Sequence, residues 1–91
     1  MIRLKTPVIV EGKYDKIRLS NIIDAPIFTT DGFRIFKDKE RVAMLRRLAA
    51  ARGLVILTDS DSAGFVIRRY LQGVIPPEQI RHAYCPLVAG K

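Results

Sequence analysis

Apolar residues occur along this chain in two patterns, and each pattern predicts one type of secondary structure. Residues 7–10 form a short run rich in β-branched side chains, which predicts a strand. Residues 54–57 form a continuous apolar run, which is typical of a strand covered on both faces. Residues 25–29 and 80–84 predict two further strands. The stretches between these runs carry apolar residues at helical spacing, so the pattern predicts four strands alternating with three helices.

Helices are predicted over residues 13–23, over residues 39–52 and from about residue 63 to Gly73. Asp38 is a candidate cap for the second helix, and residues 33–38 are predicted to form a loop before it. The apolar positions that define the helical faces are Leu19, Ile22 and Ile23 in the first helix, Val42, Leu45, Leu48 and Ala49 in the second, and Ala63, Val66, Ile67, Tyr70 and Leu71 in the third.

This alternation predicts an α/β fold in which a parallel sheet with right-handed crossovers carries helices on both faces. In such sheets, ligands bind beyond the carboxyl ends of the strands, near the place where the strand order reverses. If the four strands lie in the order 2-1-3-4, the first and third strands are neighbours. Glu11, directly after the first strand, and Asp59 and Asp61, directly after the third, would then share one crevice.

The length and composition indicate one small globular domain spanning residues 1–91. Hydrophobic residues make up 48% of the chain, and no apolar run approaches the roughly 18 residues of a membrane helix. The run before Glu11 is also too short for a signal peptide, so we expect a cytoplasmic location. One cysteine, Cys85, and one histidine, His82, exclude an internal disulfide and the usual zinc ligand sets, and we interpret them as structural.

The charges add a candidate chemistry. Sixteen Lys and Arg residues against nine Asp and Glu residues give a formal net charge of +7, which favours a polyanionic partner. Glu11, Asp59 and Asp61 nevertheless lie where apolar strands end. Converging carboxylates repel one another, and a hard divalent cation such as Mg²⁺ or Mn²⁺ neutralises them. Taken separately, a Glu-Gly pair is typical of a turn, and Asp and Ser residues before a helix are typical of caps.

The joint pattern is more specific than either part. Segment 8–15, VIVEGKYD, is a strand followed by Glu-Gly and a helix, and segment 57–64, LTDSDSAG, is a strand end followed by Asp-X-Asp and a glycine. Together they resemble the two motifs of the Toprim domain, which topoisomerases, bacterial primases, recombination proteins and small nucleases share. Over essentially its whole length, the chain is most similar within that group to the amino-terminal domain of the ribonuclease M5 family, which matures 5S ribosomal RNA.

The resemblance implies a Toprim-like, Rossmann-like fold with three layers and a metal-dependent nuclease site. Glu11 would be the general acid or base of phosphodiester hydrolysis and, with Asp59 and Asp61, would hold Mg²⁺, or Mn²⁺ in its place. Asp15 lies in the first motif, and Asp31 lies in a turn, residues 29–32, that is similar to one in the family. Both would lie next to the three metal-binding carboxylates and support them without binding the metal themselves.

The resemblance also implies structured RNA as the substrate, with the 5S ribosomal RNA precursor and a ribosomal protein as partners. Lys13, Arg34 and Lys37 are the candidate nucleic-acid contacts, and Phe33 is a candidate for stacking on a base. Ile35 and Phe36, in the same loop, are expected to cover the edge of the sheet. Arg68 and Arg69 of the third helix are expected to be solvated.

Two alternatives to an active nuclease stay open. The ribonuclease family has a second, carboxyl-terminal domain, and this chain stops at Lys91, so a shortened relative that binds nucleic acid or a protein without activity of its own is a serious alternative. A receiver-type signalling domain is a third class of parallel α/β protein. It is disfavoured because Glu11 is followed by Gly12 rather than by a second acid, and because no fifth strand is predicted.

Overall fold

In this computed structural model of the protein, residues 2–31, 34–59 and 62–85 are described, without the side chains of Ile35, Phe36, Asp59, Ser62, Ala63 and Cys85. In chain order, the strands and helices are β1 (Ile2–Arg3), β2 (Val8–Val10), α1 (Lys13–Ser20), β3 (Ile23–Asp24), β4 (Ile27–Thr29), α2 (Lys39–Arg52), β5 (Leu54–Asp59), α3 (Ser62–Val74) and β6 (Ile80–Cys85). Short 3-10 helices cover Arg34–Lys37, inside the predicted loop, and Pro77–Gln79.

Four of the strands form one parallel sheet in the order β4-β2-β5-β6. Strand β2 is central, because Val8 pairs with Ile27 of β4 on one side and with Val55 of β5 on the other. Strand β5 pairs along its whole length with β6. The carboxyl ends of all four strands therefore lie along the same edge, and β2 and β5 are neighbours there.

Different helices cover the two faces of this sheet, and alternate residues of β2 serve opposite faces. Ile9 packs in the larger buried cluster with Leu45 of α2 and Leu71 of α3. Val10 packs in a smaller cluster, against which Leu19 of α1 lies. The prediction of an α/β fold with parallel strands and helices is confirmed. No helix within the described ranges has the length and apolar character needed to cross a membrane.

The sequence pattern did not predict two short strands. Strands β1 and β3 pair as a separate parallel sheet, with Ile2 opposite Ile23. The prediction of a single four-stranded sheet is therefore incomplete, and the predicted extension of the first helix to residue 23 is wrong, because α1 ends at Ser20. A pair of isoleucines after a helix continues a helical pattern as readily as it begins a strand, so periodicity alone could not locate this boundary.

A buried arginine ties α3 to the carboxyl ends of β5 and β6. Arg68 is only 3% exposed, so the prediction that it is solvated is wrong. Its Nε donates to Thr58 Oγ1 over 3.1 Å, its Nη1 lies 2.7 Å from Nδ1 of His82, and its Nη2 donates to the carbonyl oxygen of Ala83. The ring of Tyr84 lies over the guanidinium group, 3.9 Å from its carbon atom. This cluster satisfies the buried cation and fixes two adjacent strand ends.

The core should respond to truncation according to burial within a single helix. We expect Leu71→Ala, at a position with no exposed surface, to lower the free energy of unfolding by about 2–5 kcal/mol because it leaves a cavity. The matched variant Val66→Ala, at a position of α3 that is 48% exposed, should change it by no more than about 0.5 kcal/mol. Urea unfolding followed by circular dichroism measures both. Equal losses would show that the buried face of α3 is assigned wrongly.

Stability should also depend on the protonation of His82. Partial desolvation of the otherwise exposed His82 ring and, to a lesser extent, the Arg68 charge lower the pKa of His82 below its ordinary value of 6.5. Arginine can only donate, so Nδ1 of His82 accepts, and the folded state favours the neutral ring. Between the folded pKa and 6.5 the unfolded chain binds more protons, so the free energy of unfolding should fall as the pH falls below about 6.5 and level off below the folded pKa.

The variant His82→Gln isolates this effect, because glutamine keeps an acceptor for Arg68 but does not titrate. Melting temperatures of both proteins should be compared between pH 7.5 and pH 5. Carboxylates titrate in both, so the difference between the two profiles reports His82, and it should widen as the pH falls from about 6.5 towards the folded pKa and then stay constant. Parallel profiles would contradict the lowered pKa.

Candidate functional site

The candidate site lies at the edge formed by the carboxyl ends of β2 and β5. Ile9 pairs with Ile56, and two residues beyond each of them lie Glu11 and Thr58, with Asp59 next in the chain. Neighbouring strands lie about 4.8 Å apart, so the pairing brings the backbone of Glu11 close to the end of β5. Glu11 is partly buried there. The neighbouring strands place two of the three predicted site residues at one edge.

The end of β4 holds the backbone of Glu11 in place. Thr30, which is fully buried, donates from its amide to the carbonyl oxygen of Val10 over 3.0 Å and from its hydroxyl to the carbonyl oxygen of Glu11 over 3.1 Å. These two bonds extend the pairing of β2 with β4 past the last residue of each strand. The path of the chain at Glu11 is therefore set by a threonine on the neighbouring strand.

The residues after Glu11 turn directly into α1. Gly12 is the N-cap residue, and its amide donates to a carboxylate oxygen of Asp15 over 3.2 Å. The carboxylate of Asp15 thus caps the helix that follows the site, and a negative charge in the first turn is favourable for the helix dipole. Lys13, the first residue of α1, is exposed. The role predicted for Asp15 behind the carboxylates stays a prediction; its observed contact is with the backbone of Gly12.

Asp31 lies on the far side of β2 from β5 and belongs to a cluster around Arg41. It accepts from the Thr29 hydroxyl over 2.9 Å, and its other carboxylate oxygen lies 3.5 Å from Nη1 of Arg41. The same Nη1 donates to the carbonyl oxygen of Thr29 over 3.1 Å. Asp31 has φ of 52°, a left-handed conformation that aspartate tolerates better than most residues. The contacts of Asp31 therefore shape the turn after β4.

The predicted metal ligands are only partly within the described structure. Asp59 is the last residue of β5, its side chain lies outside the description, and Asp61 lies outside the described residues altogether. Among the residues that are described, no three His, Cys, Asp or Glu side chains form a group able to hold a metal ion. Glu11 supplies a hard oxygen donor at the expected edge, which fits Mg²⁺ or Mn²⁺ better than a softer ion. The metal site as a whole stays a prediction.

The basic residues predicted to bind nucleic acid come soon after the strands that end at this edge. Arg34 and Lys37 are exposed and occupy the short 3-10 helix that follows the Asp31 turn. With Lys13 at the start of α1, they follow the carboxyl ends of two neighbouring strands, β4 and β2. Phe33 lies outside the described residues. Their role as nucleic-acid contacts stays a prediction.

Sequence reasoning missed three residues that shape the site, Thr30, Arg41 and Arg68. Thr30 fixes Glu11, Arg41 fixes the turn at Asp31, and Arg68 fixes Thr58 beside Asp59. Arg68 lies off the apolar stripe of its helix, and nothing local to it signals burial. Its partners are on β5 and β6, so only the tertiary structure identifies its role.

Comparison with known proteins relates the chain to one family. No protein-family model matches it. Among curated proteins, it is 34% identical over 90 residues to Ribonuclease M5 of Lactiplantibacillus plantarum, which covers 99% of this chain and 46% of that relative. It is 36% identical over 88 residues to Ribonuclease M5 of Fusobacterium nucleatum, covering 97% and 46%. The corresponding protein of Bacillus subtilis is 32% identical over 85 residues, covering 93% and 44%.

The similarity extends over nearly all of this chain, whereas the chain spans somewhat less than half the length of the curated relatives it matches. It includes the segments that carry Glu11 and Asp59, because the match to the Lactiplantibacillus plantarum protein leaves almost no part of the chain uncovered. The resemblance inferred from the sequence motifs is confirmed: this chain is related to ribonuclease M5 along almost its entire length.

Proposed function

We propose that this chain is a Toprim-type domain that hydrolyses phosphodiester bonds of structured RNA with the help of Mg²⁺. The observation that carries the proposal is the parallel pairing of β2 with β5. It brings Glu11 and the end of the strand that bears Asp59 to one edge, in a chain similar to proteins named Ribonuclease M5. The substrate suggested by the family resemblance is the 5S ribosomal RNA precursor, with a ribosomal protein as partner.

Glu11 is proposed to act as the general acid or base of the reaction. Water attacks the phosphorus atom, the bond from phosphorus to the leaving oxygen breaks, and the leaving oxygen takes up a proton. A carboxylate at the edge can accept the proton of the attacking water or return one to the leaving oxygen. Asp59 and Asp61 are proposed to hold the metal with Glu11. Bound Mg²⁺, or Mn²⁺, would offset the negative charge of the substrate and of the carboxylates.

The electrostatics of the chain support RNA as the partner. A formal charge of +7 favours any polyanion, and most of the binding energy of such a complex would come from phosphate contacts. Lys13, Arg34 and Lys37 are exposed and follow the ends of β2 and β4, so they are the proposed phosphate contacts. Their positive charges would offset part of the repulsion between the carboxylates and the phosphates of the substrate.

One observation favours a second function. The chain covers only 46% of the relatives from Lactiplantibacillus plantarum and Fusobacterium nucleatum, so their activity need not reside in the matching part alone. The alternative is a Toprim module that binds RNA or a protein without cleaving. The two functions differ in one measurement, cleavage by the isolated chain in the presence of Mg²⁺.

Replacement of Glu11 should abolish cleavage while the fold persists. Glu11→Gln keeps the size of the side chain but can neither accept nor donate the proton, so we expect single-turnover cleavage of a hairpin RNA to fall by about 10²–10⁴-fold. RNA affinity should hold or rise slightly, because one negative charge that repels phosphate is removed. Circular dichroism checks the fold.

The matched control is Glu78→Gln. Glu78 is exposed and lies in the 3-10 helix before β6, at the opposite edge of the sheet, so it loses the same charge without touching the site. The control should cleave at the parent rate. Parent-like cleavage by Glu11→Gln would show that Glu11 is only a turn residue, and a parent chain that never cleaves would leave the binding function.

Metal binding should be weak without RNA and should need Asp59. Mg²⁺ keeps several waters and completes its shell with substrate phosphates, so a calorimetric titration of the free protein should show low affinity. Asp59→Asn should remove the binding, whereas Asp24→Asn, a change in the outer strand β3, should not. Tight binding of Zn²⁺ with none of Mg²⁺ would contradict the proposed ligand set.

A further inference from the structure

A patch of aromatic and polar side chains lies on the side of β5 opposite to Glu11. It surrounds a shallow cavity of about 350 Å³ and consists of residues from α3 and β6, namely Phe65, Arg68, Arg69, Gln72, His82 and Tyr84. Tyr84 pairs in register with Thr58, and Asp59 follows at once. The aromatic patch therefore begins one residue from the proposed carboxylate site.

The two rings of the aromatic patch are exposed, although large apolar surfaces are normally buried. Phe65 is 54% exposed and Tyr84 is 47% exposed. Their ring centroids lie 6.5 Å apart at an angle of 61°, an edge-to-face contact. Arg68 lies against the Tyr84 ring from within the protein, so this ring is held in place before any ligand arrives. Rigid exposed rings lose little conformational entropy when a flat ligand stacks on them.

The remaining residues of the aromatic patch indicate the chemistry of the ligand. Arg69 is exposed and supplies a cation beside the rings, suited to a phosphate. Gln72 lies 2.9 Å from Nε2 of His82, and both side chains are exposed. They can exchange hydrogen bonds with the edge of a base. A stacking surface, a cation and polar edge groups together match one nucleotide.

We propose that the aromatic patch binds an unpaired nucleotide of the RNA, next to the bond presented to Glu11 and Asp59. The base stacks on the ring of Phe65 and meets the ring of Tyr84, which is inclined to it by 61°, at its edge, and its phosphate contacts Arg69. A base within a duplex is covered by its neighbours on both faces, so the aromatic patch distinguishes a single-stranded extension or bulge from a continuous stem. This inference deepens the proposed nuclease function, but its test does not depend on cleavage.

The test measures binding of the full chain to two RNA hairpins without divalent ions and with a chelator, so that no cleavage occurs. One hairpin is blunt, and the other carries a four-nucleotide single-stranded extension with 2-aminopurine, whose fluorescence falls when it stacks. The extended hairpin should bind more tightly, and its fluorescence should be quenched. Phe65→Ala should lower its affinity about 5- to 150-fold, the loss typical of one stacked base, and should leave the blunt hairpin nearly unaffected.

Two further variants separate stacking from charge. Phe65→Tyr keeps a ring and should restore both affinity and quenching. Arg46→Gln removes a cation from α2, beside Pro76 and Gln79 ahead of β6, and should weaken both hairpins alike, without changing the preference for the extension. Circular dichroism of each variant confirms the fold, which an exposed position such as Phe65 should tolerate.

The outcomes distinguish this inference from the proposed function. Equal binding of the two hairpins, or a preference that survives Phe65→Ala, overturns the aromatic patch as a nucleotide site even if the parent chain cleaves RNA. A preference and quenching that depend on Phe65, in a chain that never cleaves, support the aromatic patch and overturn the nuclease. Absence of binding to either hairpin overturns the aromatic patch as a nucleotide site, and the separate cleavage assay in Mg²⁺ then decides the nuclease.

Discussion

The pairing of β2 with β5 is the interaction on which the candidate site depends. Residues 8–10 of β2 and residues 54–57 of β5 are apolar and serve the two faces of the sheet, and the parallel register of the strands carries Glu11 and Asp59 to a single edge. Hydrophobic burial, rather than attraction between charged groups, sets the pairing of the two strands, and polar contacts then hold the strand ends. A substitution that shifted either strand by one residue would move the carboxylates apart and also turn core side chains toward the wrong face.

Three polar residues add contacts that hold the backbone at the carboxyl-terminal edge of the sheet. Thr30 bonds the backbone of Glu11, Arg41 holds the turn at Asp31, and Arg68 joins α3 to the ends of β5 and β6. Arg68 depends most strongly on its contacts, because a charged side chain that is only 3% exposed needs hydrogen-bond partners to replace the water it has lost. Removing one partner of a buried charge usually costs more than the contact itself contributes. Arg68 therefore ties the edge that carries Asp59 to α3 on its β6 side, where the aromatic patch begins.

The sequence predicted most of this architecture, and the failures have physical reasons. Continuous apolar runs identified β2 and β5, and an apolar stripe identified α3, because a buried strand or helix face leaves a local pattern. The two-residue strands β1 and β3 leave none. Burial of Arg68 was missed since its partners are distant in the chain. Within the site, the motifs identified Glu11 and Asp59 as strand-end residues, while the threonine and arginine contacts required the folded chain.

The central position of β2 has a consequence for the order of folding. Its partner β4 follows soon after it in the chain, but its other partner, β5, comes only after the whole of α2. During synthesis, the side of β2 that pairs with β5 therefore stays unpaired until the ribosome has made β5. Such non-local pairing slows folding and leaves intermediates with an open sheet edge. The same strand order that assembles the site thus makes the half-made chain prone to aggregation until β5 emerges.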